Sequence, residues 1–224
     1  MKNLIKQIFS VIPFKTKFLS FLYKFKSFPG SGNYWEKRYL SGGDSGAGSY
    51  QELSLFKAKI INNFILSENV ESVIEFGCGD GNQLKLMDYK KYLGIDISPT
   101  IISKCKKLFS KDKSKSFLTY QQYKNQSAEL SLSLDVIYHL VEDEVYEDHL
   151  KKVFDSSHKF VIIYSSDFES NNEWHVRHRK FTSWIEKNRN DFELIKKIKN
   201  EYPFMGDNNK GSFSDFFIYS KRKT

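Results

Sequence analysis

Residues 73–84, VIEFGCGDGNQL, place three glycines at alternate positions directly behind a short apolar run. The run from Ser72 to Phe76 is bounded like a strand, and the segment from Asn82 to Tyr89 reads as the start of a helix. Gly77, Gly79 and Gly81 therefore occupy a strand-to-helix turn. Glycine there permits positive φ and lets the backbone approach a ligand closely. The dinucleotide fingerprint G-x-G-x-x-G occupies the same kind of turn, because a pyrophosphate rests on the helix N-terminus. The spacing here is G-x-G-x-G, and Asn82 stands where that fingerprint has its third glycine. Glu75 precedes the turn and Asp80 lies within it. Two carboxylates repel a pyrophosphate, so the turn suits a ligand with a positive end.

Tyr92 to Ile97, YLGIDI, is a second short apolar run ending in a carboxylate. Asp96 follows the glycine turn by about 20 residues, the place where an acid at a strand end accepts hydrogen bonds from ribose hydroxyls. A ligand with a ribose, no pyrophosphate and a cationic end is S-adenosylmethionine. EFGCGDG and GIDIS resemble the class I S-adenosylmethionine-dependent methyltransferases. YWEKRYLSGGDSGAGSY (34–50), SLDVIYHLVEDEVYE (133–147), KFVIIYSSD (159–167) and HVRHRKFTSWI (175–185) are similar to a bacterial subgroup of them. Members of that subgroup look like the methyltransferases of surface-polysaccharide gene clusters. The likeness runs from about Asn33 to Lys221.

The resemblance implies that Glu75, Gly77, Gly79, Asp96 and Ile97 hold the cofactor. It also implies that Tyr34, Trp35 and Arg38 cover it, with Arg38 available to the methionyl carboxylate. The other reading makes Trp35 a core anchor and Arg38 a surface charge. Gln121 stands where the family often has an acid that contacts the adenine amine, and its amide oxygen is a weaker acceptor.

Strands and helices alternate along the chain. Strands at Tyr92–Ile97, Ser116–Tyr120, Glu129–Leu134 and Phe160–Ser165 are separated or flanked by helices at Gln51–Leu66, Thr100–Phe109 and Glu144–Phe154. This order predicts a single α/β domain, a Rossmann-like doubly wound sheet. By resemblance the sheet has about seven strands and closes with a hairpin, near Phe192–Lys199 and Phe213–Tyr219, whose last strand is antiparallel. Too few residues separate Tyr120 from Glu129 for a helical crossover of the usual dozen or so, so the third crossover is expected to be a loop or single turn. The Gly/Ser-rich stretch Ser41 to Ser49 reads as a mobile flap over a ligand.

The 224 residues, 40% hydrophobic and 16% aromatic, suit one globular core without a second full domain. Two cysteines, Cys78 and Cys105, form no disulfide framework, and no apolar run approaches the roughly 20 residues that span a bilayer. A cytoplasmic location is the expectation. The +8 charge is uneven: Lys2, Lys6, Lys15, Lys17, Lys24 and Lys26 all precede the first acid, Glu36, interleaved with apolar residues. Residues 1–32 thus read as a basic amphipathic helical arm and linker, joined through Pro29 to Asn33 to a catalytic domain over 33–224. The arm, residues 1–28, suits peripheral contact with an anionic membrane, packing on its own domain, or a dimer contact.

In a sheet wound this way the fourth strand ends in the ligand crevice. His139 there is the candidate base, because imidazole titrates near neutrality. Asp135 either orients it or contacts the cofactor's amino group, and Tyr138 lies beside the acceptor. His175, Arg177, His178, Arg179 and Lys180 follow the fifth strand and read as an anion site for phosphate or carboxylate, with a solvated basic surface as the plainer reading. The two histidines lack a third ligand, so no metal site is expected. The favoured acceptor is a hydroxyl of a small anionic or sugar-derived metabolite. No nucleic-acid motif accompanies the basic charge, and none is expected to bind specifically. An RNA methyltransferase, or a catalytically silent cofactor-binding partner protein, are the alternatives.

Overall fold

All four residues of β1, Val73–Phe76, are buried. An apolar strand covered on both faces belongs inside a parallel sheet. The computed structural model, which describes residues 28–207 and 209–223, places it there. β1 lies between β2 (Tyr92–Asp96) and β4 (Ala128–Leu134), parallel to both. β3 (Lys115–Thr119) extends the sheet beyond β2, and β5 (Ser157–Ser165) beyond β4. β9 (Asp215–Lys221) then runs antiparallel to β5, and β8 (Phe192–Ile198) forms the edge. The order β3-β2-β1-β4-β5-β9-β8 is the expected doubly wound sheet of seven strands, with β9 reversed.

Period-two alternation divides the core between the two faces. In β5, Ile162 and Tyr164 join Phe56, Ile61 and Ile65 of α2 (Gln51–Glu68) on one side. Val161 and Ile163 join Leu150, Val153 and Phe154 of α4 (Asp143–Asp155), with Phe181 and Ile185 of α5 (Phe181–Asn188), on the other. The buried residues of α4, namely Tyr146, His149, Leu150, Val153 and Phe154, recur at helical spacing. α3 (Pro99–Leu108) starts where the Ser98 hydroxyl accepts the Ile101 N–H and proline fills the first helical position.

Three expectations need correction, and the Gly/Ser stretch read as a mobile flap is placed as well. The segment after the glycine turn makes only a 3-10 turn, Gln83–Leu86. The Asn62 side chain donates to the Leu86 carbonyl and accepts from the Asp88 N–H, occupying groups a continued helix would use. Ser31 to Asn33 are not linker but open α1 (Ser31–Leu40). Buried Ser31 fastens that helix to the loop after β4, its hydroxyl reaching the His139 carbonyl at 2.8 Å and Glu142 at 2.6 Å. The Gly/Ser stretch is folded down on the glycine turn, where the Ser45 N–H donates to Asp80 and the Asp80 N–H to Ser45. Finally, the basic cluster lies on a hairpin that the sequence did not announce, β6 (Ser170–Glu173) with β7 (Val176–His178). The connection from β3 to β4 contains no helix, as its length requires. Most of the basic arm, residues 1–27, lies outside the described residues. No helix among the described residues is long and apolar enough to cross a membrane.

Candidate active site

The chain's winding reverses between β1 and β4, and the crevice at that point opens beyond their carboxyl ends. Gly77 follows β1 with φ +86, and a Cβ there would stand 2.3 Å from Cγ2 of Val136. Gly79, with φ +58, would put one 2.4 Å from the Ser45 hydroxyl. Both positive φ and close contact therefore exclude side chains from this turn. At the end of β2 the Asp96 carboxylate accepts the Gly79 and Ser98 N–H groups, each at 3.0 Å. Burial raises Asp96 to about 6 against those hydrogen bonds. Glu75 is raised to about 7, again by burial, although the Tyr92 hydroxyl donates to it at 2.6 Å.

These groups floor a cavity of about 350 Å³, within the usual range for small-molecule sites. Gly77, Gly79, Glu75, Asp96 and Ile97 line it, and Trp35 and Tyr39 of α1 roof it. α1 is held there because Glu36 accepts from the hydroxyls of Ser98 and Thr100 beside Asp96. Asp80, the second acid of the motif, points elsewhere: it holds the Tyr50 hydroxyl at 2.7 Å and pins the Gly/Ser stretch. Gln121 is exposed and outside the cavity, and its neighbour Tyr120 lines it instead. The Tyr120 hydroxyl meets His149 Nδ1 at 2.6 Å, and His149 Nε2 meets the Ser133 hydroxyl at 2.8 Å. Burial lowers His149 to about 3, so this chain of hydrogen bonds is neutral.

A second cavity, about 520 Å³, adjoins the first, and Trp35, Ser45, Asp135 and His139 line both. Tyr34, Tyr138, His175, His178, Phe168 and Phe213 form much of the rest. Asp135 stands at φ +59, an uncommon conformation for a residue with a side chain. Its Oδ2 accepts from Lys57 at 2.7 Å, while Oδ1 accepts from the hydroxyls of Tyr138 at 3.0 Å and Ser214 at 3.1 Å. Asp135 thus fixes Tyr138 rather than His139. Burial, then the charge of Asp135, keeps the Tyr138 phenol protonated. The His139 ring lies edge-on to Trp35 and parallel to His175, and its Nδ1 is buried without a hydrogen-bond partner. Burial, then neighbouring His175, lowers this imidazole to about 4.

The basic cluster expected as an anion site makes contacts within the protein. Arg179 donates to the carbonyls of Leu140 and Val141 and to Asp143, and Arg177 pairs with Asp143 at 2.9 Å. Neither arginine lines the first or the second cavity. They clamp the loop that carries His139. Arg38 lines the second cavity rather than the first, with its guanidinium bonded to the carboxylate and carbonyl of Asp44. Tyr34 also faces the second cavity, stacked on His175 at 5.1 Å. His178 bonds the Ser166 hydroxyl through Nδ1 at 2.6 Å. The sequence reading missed Lys57, Tyr120 and His149. Lys57 had a signal: it lies four residues from both Leu53 and Ile61, on the buried stripe of α2, where a charge demands a partner.

Residues 74–161 match the family model described as a methyltransferase domain. No curated protein matches the sequence. The fold is similar to that of the N-methyltransferase NodS from Bradyrhizobium japonicum, solved with S-adenosyl-l-homocysteine: TM-score 0.69 and 12% identity, over 87% of this chain and 100% of that one. Magnesium protoporphyrin IX methyltransferase from Synechocystis gives 0.58 and 12%, covering 74% and 82%. The methyltransferase domain of bacterial CtHen1 gives 0.56 and 19%, covering 73% and 97%.

Proposed function

We propose that this S-adenosylmethionine-dependent methyltransferase methylates a hydroxyl of a small, sugar-derived acceptor, with cofactor in the first cavity and acceptor in the second. The first cavity suits the cofactor. Each Asp96 oxygen already holds one backbone N–H and retains a lone pair for a ribose hydroxyl. The bare backbone at Gly77 and Gly79 leaves room beside it. S-adenosylmethionine supplies an electrophilic methyl group on a sulfonium. The chain must hold the acceptor oxygen about 3 Å from that carbon and take its proton.

The observation that carries this reading is His139, which lines both cavities, between the cofactor and acceptor positions. Its imidazole is neutral near pH 7, so it can accept the hydroxyl proton as the oxygen–carbon bond forms and the carbon–sulfur pair leaves with sulfur. Tyr34, Phe168 and Phe213 offer flat apolar faces for the C–H side of a sugar ring, and the histidines offer hydrogen bonds. The resemblance to surface-polysaccharide methyltransferases supports the same acceptor class. Arg177 and Arg179 pair with Asp143, and the sugar-derived reading rests on the rings of the second cavity. The structurally similar enzymes act, by name, on a nitrogen, on a porphyrin or on small RNA, and select no acceptor for this chain.

The test is transfer of labelled methyl from S-adenosylmethionine to a panel of sugars and sugar nucleotides, with the product bond identified by NMR. An O-methyl product is the expected result. Transfer only to amines or to RNA would overturn the acceptor assignment.

Asp96→Ala is expected to weaken S-adenosylmethionine by about 1–3 kcal/mol, the loss of a charged hydrogen-bond partner. Calorimetry on a variant shown to be folded checks this, and unchanged affinity would remove Asp96 from the cofactor site.

A further inference from the structure

Among the described residues, every exposed phenylalanine and tryptophan lies around one opening. Trp174 is 49% exposed, Phe213 48% and Phe168 39%; Phe213 and Phe168 line the second cavity, and Trp174 packs on Tyr34 and His175 of its lining. Met205, 88% exposed, adjoins Phe204 of the same rim. Exposed aliphatic residues elsewhere include Leu66 and Leu108 on helices α2 and α3, and Leu194 and Ile195 on the edge strand β8. Single exposed apolar residues are ordinary, but a ring of them around a ligand opening marks an interaction surface.

The described chain also begins at this rim. Phe28 packs edge-on against Trp174 at 5.3 Å and lies 6.5 Å from Tyr34. The sequence leading to it carries six lysines and no acid, interleaved with leucine, isoleucine and phenylalanine. Apolar aromatic side chains and lysines suit different layers of one surface. Aromatic rings settle at the headgroup level of a bilayer, and lysines are drawn to its anionic lipids.

We propose that the mouth of the second cavity docks on an anionic membrane, and that the acceptor is the polar head of a lipid-borne molecule entering from that surface. Trp174, Phe168, Phe213 and Met205 lose water against the bilayer, and the lysines before Phe28 supply the charge attraction. The acceptor's hydroxyl reaches His139 while its apolar anchor stays among the lipids. This inference rests on the second cavity being the acceptor site.

The experiment uses the full chain with vesicles of phosphatidylcholine alone, or of phosphatidylcholine and phosphatidylglycerol in equal parts. Cosedimentation is expected only with the anionic vesicles and should fall as salt rises. Brominated lipid should quench tryptophan fluorescence, and Trp174→Phe should remove most of that quenching. Trp174→Ser with Met205→Ser, and separately glutamine at Lys15, Lys17, Lys24 and Lys26, should each lower partitioning by about tenfold or more. Circular dichroism establishes that the variants fold.

Absence of partitioning overturns the proposal. So does partitioning that needs the lysines but ignores the rim, which would assign binding to the basic segment alone. A dimer that Trp174→Ser dissociates, without vesicle binding, would assign the rim to a second copy. O-methylation of soluble sugars without vesicle binding would leave the acceptor-site reading intact and refute only the membrane one.

Discussion

His139→Ala is expected to lower kcat by about 10²–10⁴-fold, the usual worth of a positioned general base, with cofactor affinity nearly unchanged. The residue lines both cavities, between the cofactor and acceptor positions. Burial and His175 hold the imidazole at about 4, so the neutral, proton-accepting form persists through the acidic range. Activity should therefore be flat from weakly acidic to neutral pH and fall only as pH drops through about 4. His139→Gln separates chemistry from positioning. Glutamine retains hydrogen-bonding groups but accepts no proton near neutrality, so a base requires it to be as slow as alanine. Recovery of the rate with glutamine would make His139 a positioning residue, and near-wild-type turnover in both variants would remove it from the chemistry.

Lys57→Met should destabilise the protein by about 3–5 kcal/mol, because removing one partner of a buried pair strands the other charge. Lys57 is 1% exposed and lines the first cavity, and its ammonium meets Asp135, which lines both, at 2.7 Å. For a chain of this length such a loss lowers Tm by roughly 6–20 °C. Asp135→Asn added to Lys57→Met should restore part of the stability, since asparagine tolerates the left-handed backbone and leaves no charge unpaired. Urea denaturation of both single variants and the double variant measures the coupling. A single-variant loss below about 1 kcal/mol would show that water or another group compensates Asp135, contrary to a buried pair. Because Asp135 also accepts the Tyr138 hydroxyl, Lys57→Met should additionally loosen the floor of the acceptor cavity.

The frame of this protein was legible because it is written locally. Val73–Phe76 reads as a buried strand from its apolar run, and the alternate glycines read as the turn after it, since few other residues tolerate that backbone. Asp96 falls at the end of β2 because strand length and crossover length fix the interval from the turn. The same counting gave the helix-free third crossover. It failed after Asn82, where a helical pattern met the side chain of Asn62 on another element and made only one turn.

The sequence by itself determined the winding of the sheet, the glycine turn and the carboxylates at the ends of its strands, through periodicity and spacing over tens of residues. Only the tertiary structure decided which charges remained available to a ligand. Arg179 meets Asp143 across 36 residues of sequence, and Lys57 meets Asp135 across 78. Tyr120, His149 and Ser133 join into one neutral hydrogen-bonded chain from three different elements. A buried charge or hydroxyl must find a partner, and that partner is whichever group the packed layers bring within about 3 Å. No local spacing carries that information. The cluster HVRHRK was therefore readable as basic, but its division into two loop clamps and two cavity histidines was fixed only when the hairpin packed on the loop after β4.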